Sequence, residues 1–366
     1  MNIIVFAAAS REGGALMIYK QFLAHLPDHI GADRYYVFIT EGMPVPEIPG
    51  VTYFPVDVWQ SMRRRIRFDS SGCRRFLEEK GIRADKLISF QNTGVNALKG
   101  IPQLVYYHQA IPFYPYHWNP LKASERKMFL YKRVYPWFVR TSIGRQTRVV
   151  VQTPFVKRCF VRYFHFDAQR VHALFPDVKA IDRTQVTAYP YEDGAVHFIY
   201  PAFAYDFKNH RLLVNALQLL GQRNPGVLAG VRLHLTLTED EAPELVAFVH
   251  EHGLGSNVKF EGASSFEILL QKYAACSGLL FPSKMETIGL PLLEAASLGL
   301  PIIAADLGYA HDVLEGYAGV TFLPLESSDS WADAISSIVS QPMQRYPYDV
   351  ARESSWPEFF RIVSEM

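Results

Sequence analysis

Two glutamates eight residues apart are the clearest chemical feature of this 366-residue sequence. Glu286 lies in a loop after an apolar run that ends at Phe281, and Glu294 lies in the first turn of a helix predicted from Pro291. Unpaired N–H groups at a helix start favour an anion such as a phosphate. Two carboxylates beside an anion site suit a ligand with hydroxyl groups at both ends and phosphate between, as in a sugar nucleotide. The alternative is that Glu294 is paired within the fold and Glu286 is a solvated loop residue.

The segment around these glutamates, Phe-Pro-Ser-Lys-Met-Glu-Thr-Ile-Gly-Leu-Pro-Leu-Leu-Glu-Ala, resembles the signature of the family 4 glycosyltransferases. The resemblance implies retaining enzymes of the GT-B fold, in which two Rossmann-like, doubly wound α/β domains face each other across a cleft. It also implies that Glu294 binds the ribose hydroxyls of a nucleotide-sugar donor and that Glu286 contacts the donor sugar. The backbone implied to face the sugar and diphosphate is that of Thr287, Ile288, Gly289 and Leu290.

A lysine after the apolar run 197–200 adds a cation to the predicted site. Lys208 resembles the family lysine that meets the donor diphosphate, where a compact cation stabilises the departing charge. The family's preceding Gly-Arg pair is replaced here by Ala202 and Phe203, and Arg11 is the candidate that would compensate for the missing cation. The alternative for Lys208 is a solvated cation near a helix start, although the helix dipole disfavours a cation there.

Two loops of the first half supply further candidates. Gly13 and Gly14 would let the backbone approach a ligand closely, although a simple turn also explains them; the resemblance implies donor phosphates or acceptor beside this loop. His108 follows the run 104–107, and the resemblance implies a histidine near the reacting centre of the donor sugar. A lone histidine of this kind is otherwise structural. The weaker candidates are His117, Gln152 and Thr153, the last being equally suited to cap a helix.

The net charge of +1 conceals two opposed halves. Residues 1–178 carry 25 lysines and arginines against 13 acidic residues, whereas residues 179–366 carry 12 against 23. Between Asn119 and Arg170, 12 basic residues are interleaved with aromatic ones and only 2 are acidic. Such a stretch suits an anionic membrane surface, single-stranded nucleic acid, or merely solvated helix faces. The family resemblance favours peripheral contact with an anionic membrane and no nucleic acid.

The composition, 49% hydrophobic and 20% charged, excludes a disordered or fibrous protein. Three scattered cysteines predict neither a disulfide framework nor a zinc site, which favours a reducing cytosol. No Asp-x-Asp is present, so neither a metal nor another cofactor is expected. Without an apolar run of 18 residues no membrane span is predicted, and the apolar residues 1–9 are interpreted as a buried strand rather than a signal peptide.

Apolar runs alternate with segments of helical period, which predicts parallel sheets covered on both faces. We expect an N-terminal acceptor domain over 1–178 and a C-terminal donor domain over 179–366, with the seam between Pro176 and Asp193. The tail from residue 350 could pack on either domain. The predicted strands are 3–8, 35–39, 87–90, 104–107, 149–151, 197–200, 233–236, 258–260, 278–281 and 301–304. The main predicted helices are 15–26, 124–135, 209–220, 241–252, 265–275, 291–298 and 356–363.

These features lead to one preferred hypothesis and two alternatives. The preferred one is a cytoplasmic retaining glycosyltransferase on the inner face of the cell membrane. It would transfer a sugar from a nucleotide-sugar to a surface glycan, such as lipopolysaccharide O-antigen, capsule or another lipid-linked saccharide, with His108, Glu286 and Lys208 as catalytic residues. A sugar-nucleotide epimerase of the same fold and a non-enzymatic protein binding nucleotides or nucleic acid remain open.

Overall fold

The computed structural model describes residues 1–8, 10, 13–57, 62–122, 125–178, 181–341, 344–348 and 353–366. Arg11 lies outside the described residues. The chain divides into a first unit of Met1–Asp177 with Glu353–Met366, and a second unit of Val178–Arg352. The C-terminal tail, for which the sequence left two possibilities, therefore belongs to the first unit from Glu353 onward.

The strands alternate with helices along most of the chain. The strands are β1 (Asn2–Phe6), β2 (Arg34–Thr40), β3 (Val51–Val56), β4 (Lys86–Ser89), β5 (Gln103–Tyr107), β6 (Thr147–Val151), β7 (Val171–Ala173), β8 (Val196–Tyr200), β9 (Val231–Leu235), β10 (Val258–Phe260), β11 (Gly278–Phe281), β12 (Ile302–Ala305) and β13 (Val320–Leu323).

The helices cover the sheets. They are α1 (Gly13–His25), α2 (Met62–Arg67), α3 (Cys73–Glu79), α4 (Arg126–Arg133), α5 (Tyr135–Ser142), α6 (Pro154–Phe164), α7 (His210–Arg223), α8 (Pro225–Ala229), α9 (Pro243–Glu251), α10 (Phe266–Ala275), α11 (Leu290–Ser297), α12 (Gly308–Val313), α13 (Ser328–Val339) and α14 (Trp356–Ser364).

Each unit is built on a parallel sheet. Among the described residues, the first sheet has seven strands in the order β3-β2-β1-β4-β5-β6-β7, and the second has six in the order β10-β9-β8-β11-β12-β13. The apolar N-terminal run forms the interior strand β1, as predicted. Three strands missed by the sequence analysis, β3, β7 and β13, are all edge strands. Edge strands have a neighbour on one side only and carry a weaker apolar pattern, and β3 also contains Pro55.

Helix α14 completes the core of the first unit. Trp356, Phe359 and Val363 are buried in one apolar cluster with Phe22 of α1. The buried Lys86 side chain donates hydrogen bonds of 2.8 Å to the carbonyls of residues 363 and 364. Because the last carbonyls of a helix lack partners within the helix, this lysine satisfies the end of α14.

Neighbouring strands β8 and β11 determine where the second unit places its loops. They pair in parallel, with Phe198 opposite Gly278 and Ile199 opposite Leu279. Ligands of open α/β sheets bind beyond the carboxyl ends of the strands. The loops after Tyr200 and Phe281 therefore start side by side at that edge.

Candidate active site

The loops after β8 and β11 bring Lys208 and Glu286 together. The Lys208 Nζ lies 2.5 Å from Glu286 Oε1, although the two residues are 78 positions apart in sequence. Their side chains are 15% and 14% exposed, so the pair is largely shielded but remains accessible from one side. The structure thus joins two of the three side chains predicted to be catalytic into one charged pair.

Main-chain hydrogen bonds fix the backbone of Lys208. The Tyr200 hydroxyl donates to the Lys208 carbonyl at 2.7 Å, and the Lys284 N–H donates to the Phe207 carbonyl at 2.7 Å. Asn209, with φ of +60°, then turns the chain into α7. The lysine ammonium is therefore presented by a fixed loop rather than by a free surface chain.

The loop of Glu286 is held just as closely. The Tyr309 hydroxyl donates to the carbonyl of the buried Ser283 at 2.6 Å. Gly289 has φ of +68°, and a Cβ there would lie 3.3 Å from Leu292 Cδ1 and 3.5 Å from Glu286 Cγ. A side chain at this position would therefore be strained and would crowd Glu286. The intervening residues that lead into α11 are Thr287 and Ile288, and α11 begins at Leu290.

Glu294 lies in α11 and is partly paired within the fold. The Tyr273 hydroxyl of α10 donates to Glu294 Oε2 at 3.1 Å. Burial raises the pKa of Glu294 to about 6, and the hydrogen bond from Tyr273 opposes that rise. Among the described residues no partner reaches Glu294 Oε1, which leaves this oxygen to accept a hydrogen bond from a ligand.

Tyr200 and Tyr273 support the candidate site but were missed by the sequence analysis. Both are fully buried aromatic side chains whose hydroxyl groups bond to site residues. In sequence they look like ordinary core residues, one at the end of an apolar run and one in an amphipathic helix. A buried tyrosine hydroxyl usually finds a hydrogen-bond partner, but the position of the tyrosine in sequence does not indicate which one.

The predicted candidates of the N-terminal half lie in the first unit. The His108 N–H donates to Asn92 Oδ1 at 2.6 Å, and the Asn92 amide nitrogen lies 3.4 Å from His108 Nε2. Burial lowers the pKa of His108 to about 4, so its imidazole is neutral at physiological pH. Its Nδ1 is buried and has no partner among the described residues. His108 is thus positioned by Asn92 and retains one ring nitrogen for another contact.

The remaining candidates have different surroundings. Gly13 and Gly14 are exposed at the start of α1, and a Cβ on either would meet nothing within 4 Å. Thr153 Oγ1 accepts a hydrogen bond from the Val156 N–H at 3.2 Å and caps α6, which confirms the helix-cap interpretation of this threonine. His117 is exposed, and Gln152 is buried.

No group of three or more His, Cys, Asp or Glu side chains in the described part of the chain is arranged to hold a metal ion. No helix among the same residues has the length and apolar character needed to cross a bilayer.

Residues 197–341 match the model of the family described as glycosyl transferases group 1. The O-antigen chain mannosyltransferase RfbU of Salmonella typhimurium is 24% identical over 227 residues, which is 61% of this chain and 60% of that protein. The chain thus spans about three fifths of the length of this curated relative.

Solved structures resemble the whole chain. WaaG, a glycosyltransferase involved in lipopolysaccharide biosynthesis, matches with a TM-score of 0.65 and 17% identity over 100% of this chain and 95% of its own. HepE of Anabaena, crystallised with UDP and glucose, matches with a TM-score of 0.59 and 16% identity over 100% and 98%.

These likenesses bear out the fold and family predicted from the glutamate segment. The two parallel sheets with their covering helices form the GT-B fold. The family match covers the strands and loops that carry Lys208, Glu286 and Glu294. The chain therefore has the GT-B fold, and residues 197–341 of its second unit match the group 1 family of glycosyl transferases, as the resemblance to family 4 predicted.

Proposed function

We propose that this protein is a retaining glycosyltransferase that needs no metal. It transfers a sugar from a nucleotide-sugar donor to a hydroxyl of a surface-glycan acceptor, such as O-antigen, capsule or another lipid-linked saccharide. The observation that carries the proposal is the Lys208–Glu286 pair, 2.5 Å apart beyond the adjacent ends of β8 and β11. The O-antigen mannosyltransferase RfbU and HepE, with its bound UDP and glucose, support the choice of donor and acceptor classes.

Each site residue has a distinct task in this proposal. The Lys208 ammonium neutralises the diphosphate as it leaves, Glu286 accepts hydrogen bonds from hydroxyl groups of the donor sugar, and Glu294 accepts from the ribose. The bond between the anomeric carbon and the phosphate oxygen breaks, and its electron pair stays on the diphosphate. The acceptor oxygen bonds to the same face of the sugar, and its proton passes to a diphosphate oxygen. No covalent sugar–enzyme intermediate forms.

The pairing of Lys208 with Glu286 explains how the site is kept ready without a ligand. Each charge is neutralised by the other, so neither has to be left unpaired in a shielded position. A donor offers phosphate oxygens to the lysine and hydroxyl groups to the glutamate. Binding therefore replaces one set of hydrogen bonds by another and leaves neither charge unpaired.

Nucleoside diphosphates test the donor site directly. We expect one member of a panel of UDP, GDP, ADP and CDP to stabilise the wild type by about 2.7 kcal/mol at 100 times its Kd, measured as a thermal shift. The substitution Lys208→Ala removes most of this shift, whereas Lys259→Ala, a lysine on β10 of the same unit, keeps it. A wild type that responds to none of the four nucleotides, or an equal response in Lys208→Ala, contradicts the donor-site assignment.

Two further assays distinguish the alternatives from sugar transfer. A sugar-nucleotide epimerase would convert its donor without any acceptor. A nucleic-acid-binding protein would retard an oligonucleotide in a native gel, and added salt would weaken this binding. The substitution Glu286→Ala would leave the retardation unchanged. No observation on the described residues favours either of them over sugar transfer.

One face of α4 and α5 supports a peripheral membrane contact. Leu130 of α4, Val134 at the junction of the two helices and Trp137 of α5 are 52%, 40% and 60% exposed, at sequence spacings of four and three residues. Lys127 and Arg133 are exposed beside them. An exposed apolar row with basic neighbours suits an interface of anionic lipid, where the apolar side chains enter the headgroup boundary. We propose that this helical face holds the enzyme at the inner membrane surface near its acceptor.

Vesicle flotation tests the membrane contact. The wild type should float with vesicles that contain anionic phosphatidylglycerol at low salt and should bind vesicles of neutral lipid less. Trp137→Glu should abolish flotation, while Ile268→Glu, at an exposed apolar position of α10 in the second unit, should not. Equal flotation of the wild type and Trp137→Glu would show that this face is not the contact.

A further inference from the structure

The loop between β8 and α7 exposes aromatic side chains next to the charged pair. Phe203 is 73% exposed and Tyr205 is 41% exposed. The ring centroids of Phe203 and Tyr205 are 6.2 Å apart, and Tyr205 stacks on Phe207 at 5.3 Å with an interplanar angle of 10°. Lys208 Nζ lies 5.7 Å from the centre of the Phe207 ring. These three rings, called the aromatic row below, lead from solvent to Lys208.

The backbone under the aromatic row is well fixed. The Ala202 N–H donates to Thr236 Oγ1 at 3.1 Å, the Tyr205 N–H donates to the Phe203 carbonyl at 2.8 Å, and the Lys208 N–H donates to the Tyr205 carbonyl at 2.8 Å. Leaving a large apolar side chain in water forgoes about 25 cal/mol for each Å² that could be buried. A preorganised and exposed apolar surface beside polar groups is typical of a ligand site.

The topology separates the aromatic row from Glu294. From β8 the chain first adds strands toward one edge of the sheet, through β9 to β10. It then crosses back to β11 and adds β12 and β13 toward the opposite edge. Since parallel crossovers are right-handed, α7 and α9 lie on one face of the sheet and α10 and α11 on the other. The aromatic row leads into α7, which packs against α9 and α13, whereas Glu294 on α11 bonds to Tyr273 on α10.

This separation indicates which part of a ligand reaches the row. A nucleoside held by Glu294 lies toward the face of α10 and α11. The Lys208–Glu286 pair stands between the two faces at the edge formed by β8 and β11. Beyond that pair, on the side of the row, comes the sugar end of the donor, and the acceptor that attacks this sugar must lie next to it.

We propose that the aromatic row is a stacking subsite for a sugar ring of the acceptor saccharide, with Phe203 as its outer platform. This inference rests on the proposed sugar transfer. The face of an aromatic ring carries negative charge density, which attracts the C–H groups on the apolar face of a pyranose, while the sugar hydroxyl groups remain free to bond at its edge. The row would thus help to orient the acceptor hydroxyl toward the donor beside Lys208.

Binding of simple glycosides tests the row. Methyl α-mannopyranoside, methyl β-galactopyranoside and methyl β-glucopyranoside serve as probes in saturation-transfer NMR titrations with the full chain. We expect Phe203→Ala to weaken the best glycoside about three- to tenfold and Phe203→Trp to retain its affinity, because stacking contributes roughly this much. The matched control is Ile268→Ala, an exposed apolar residue of the same unit, and it should change nothing.

The outcomes separate this inference from the proposed function. In all these variants the thermal shift with the nucleoside diphosphate should equal that of the wild type. Equal glycoside affinity in Phe203→Ala and the wild type, or no glycoside binding to the wild type, overturns the stacking subsite while the donor site stands. A smaller nucleotide shift in Phe203→Ala assigns the row to the nucleoside and also overturns it. Loss of the nucleotide response in the wild type itself contradicts the proposed function instead.

Discussion

Among the described residues, the second unit contains two lysine–glutamate pairs with similar distances and different surroundings. Lys272 Nζ lies 2.7 Å from Glu261 Oε2, which compares with 2.5 Å for Lys208 and Glu286. Lys272 also donates to Ser264 Oγ at 3.0 Å, and His234 Nδ1 lies 2.5 Å from Glu261 Oε1. Both oxygens of Glu261 are therefore occupied by groups of the fold. Burial raises the pKa of Glu261, but the bonds from His234 and Lys272 outweigh it and hold the pKa at about 2.

The pair at the candidate active site has unused hydrogen-bonding capacity. Among the residues that the structure describes, Lys208 Nζ bonds to Glu286 Oε1 and to no other oxygen, and Glu286 Oε2 has no partner. The distance within an ion pair therefore does not indicate whether the pair stabilises the fold or binds a ligand. A pair whose partners are all supplied by the fold secures the fold, whereas a pair with spare donors and acceptors can exchange its partner for a ligand.

The largest expected effect concerns the saturated pair. Lys272→Ala leaves Glu261 without its buried cation, and we expect a loss of about 3 kcal/mol or more in the free energy of unfolding. Urea denaturation at pH 7 measures this loss, with Lys259→Ala as the control lysine. The pKa of Glu261 is about 2 in the folded state against an ordinary value of 4.5, so the stabilisation is present above pH 4.5 and is lost as the pH falls toward 2.

The pH dependence provides a second test of Lys272→Ala. The difference in unfolding free energy between the wild type and Lys272→Ala should shrink as the pH is lowered from 5 toward 2. A difference that stays constant over this range would mean that the lysine acts through packing of its alkyl chain and not through Glu261.

The next effect concerns the unsaturated pair. Glu286→Gln keeps the shape of the side chain and an oxygen for Lys208, but it removes the charge that receives the donor hydroxyl groups. We expect the rate of sugar transfer to fall by about 10² to 10³. The free energy of unfolding should fall by about 1 kcal/mol, which is less than in Lys272→Ala, because glutamine keeps an oxygen for Lys208. Since Lys208 is released from a full negative charge, the thermal shift with a nucleoside diphosphate should be kept or increased. A destabilisation as large as that of Lys272→Ala would show that both pairs stabilise the fold.

The smallest effect concerns Glu294. One of its carboxylate oxygens is bonded within the fold, and the other has no partner among the described residues. Its folded pKa of about 6 lies above the ordinary 4.5, so the folded state binds the proton more tightly and loses stability as the pH rises through this interval. Glu294→Gln should therefore be more stable than the wild type at pH 8 by about 1 to 2 kcal/mol and equal to it near pH 4. Its nucleotide-induced thermal shift should decrease.

Urea denaturation at pH 4 and pH 8 measures the effect of Glu294→Gln. Glu244→Gln, at an exposed glutamate in the first turn of α9, is the control and should show no such dependence. A Glu294→Gln variant that is less stable than the wild type at pH 8 would show that the carboxylate secures the fold, as Glu261 does.

The elements whose residues form a clear local pattern could be predicted from the sequence. Central strands such as β1 and β11 are continuous apolar runs, and the segment from Glu286 to Glu294 carries its spacing in one stretch of chain. The edge strand β3 was missed because its half-covered residues include Pro55, and Tyr273 was missed because its hydroxyl meets Glu294 only after α10 and α11 pack together. The contact of Lys208 with Glu286 likewise depends on strand order, which resemblance to a family indicates and local pattern does not.

Helix α14 has a consequence for the order in which the protein can be made. Trp356, Phe359 and Val363 fill the core around Phe22, yet the ribosome synthesises them after the whole of the second unit. At common elongation rates this separation amounts to roughly 10 to 30 seconds. During that interval the apolar surface of α1 lacks the cover that α14 provides, so the core of the first unit is completed only after the second unit has been synthesised.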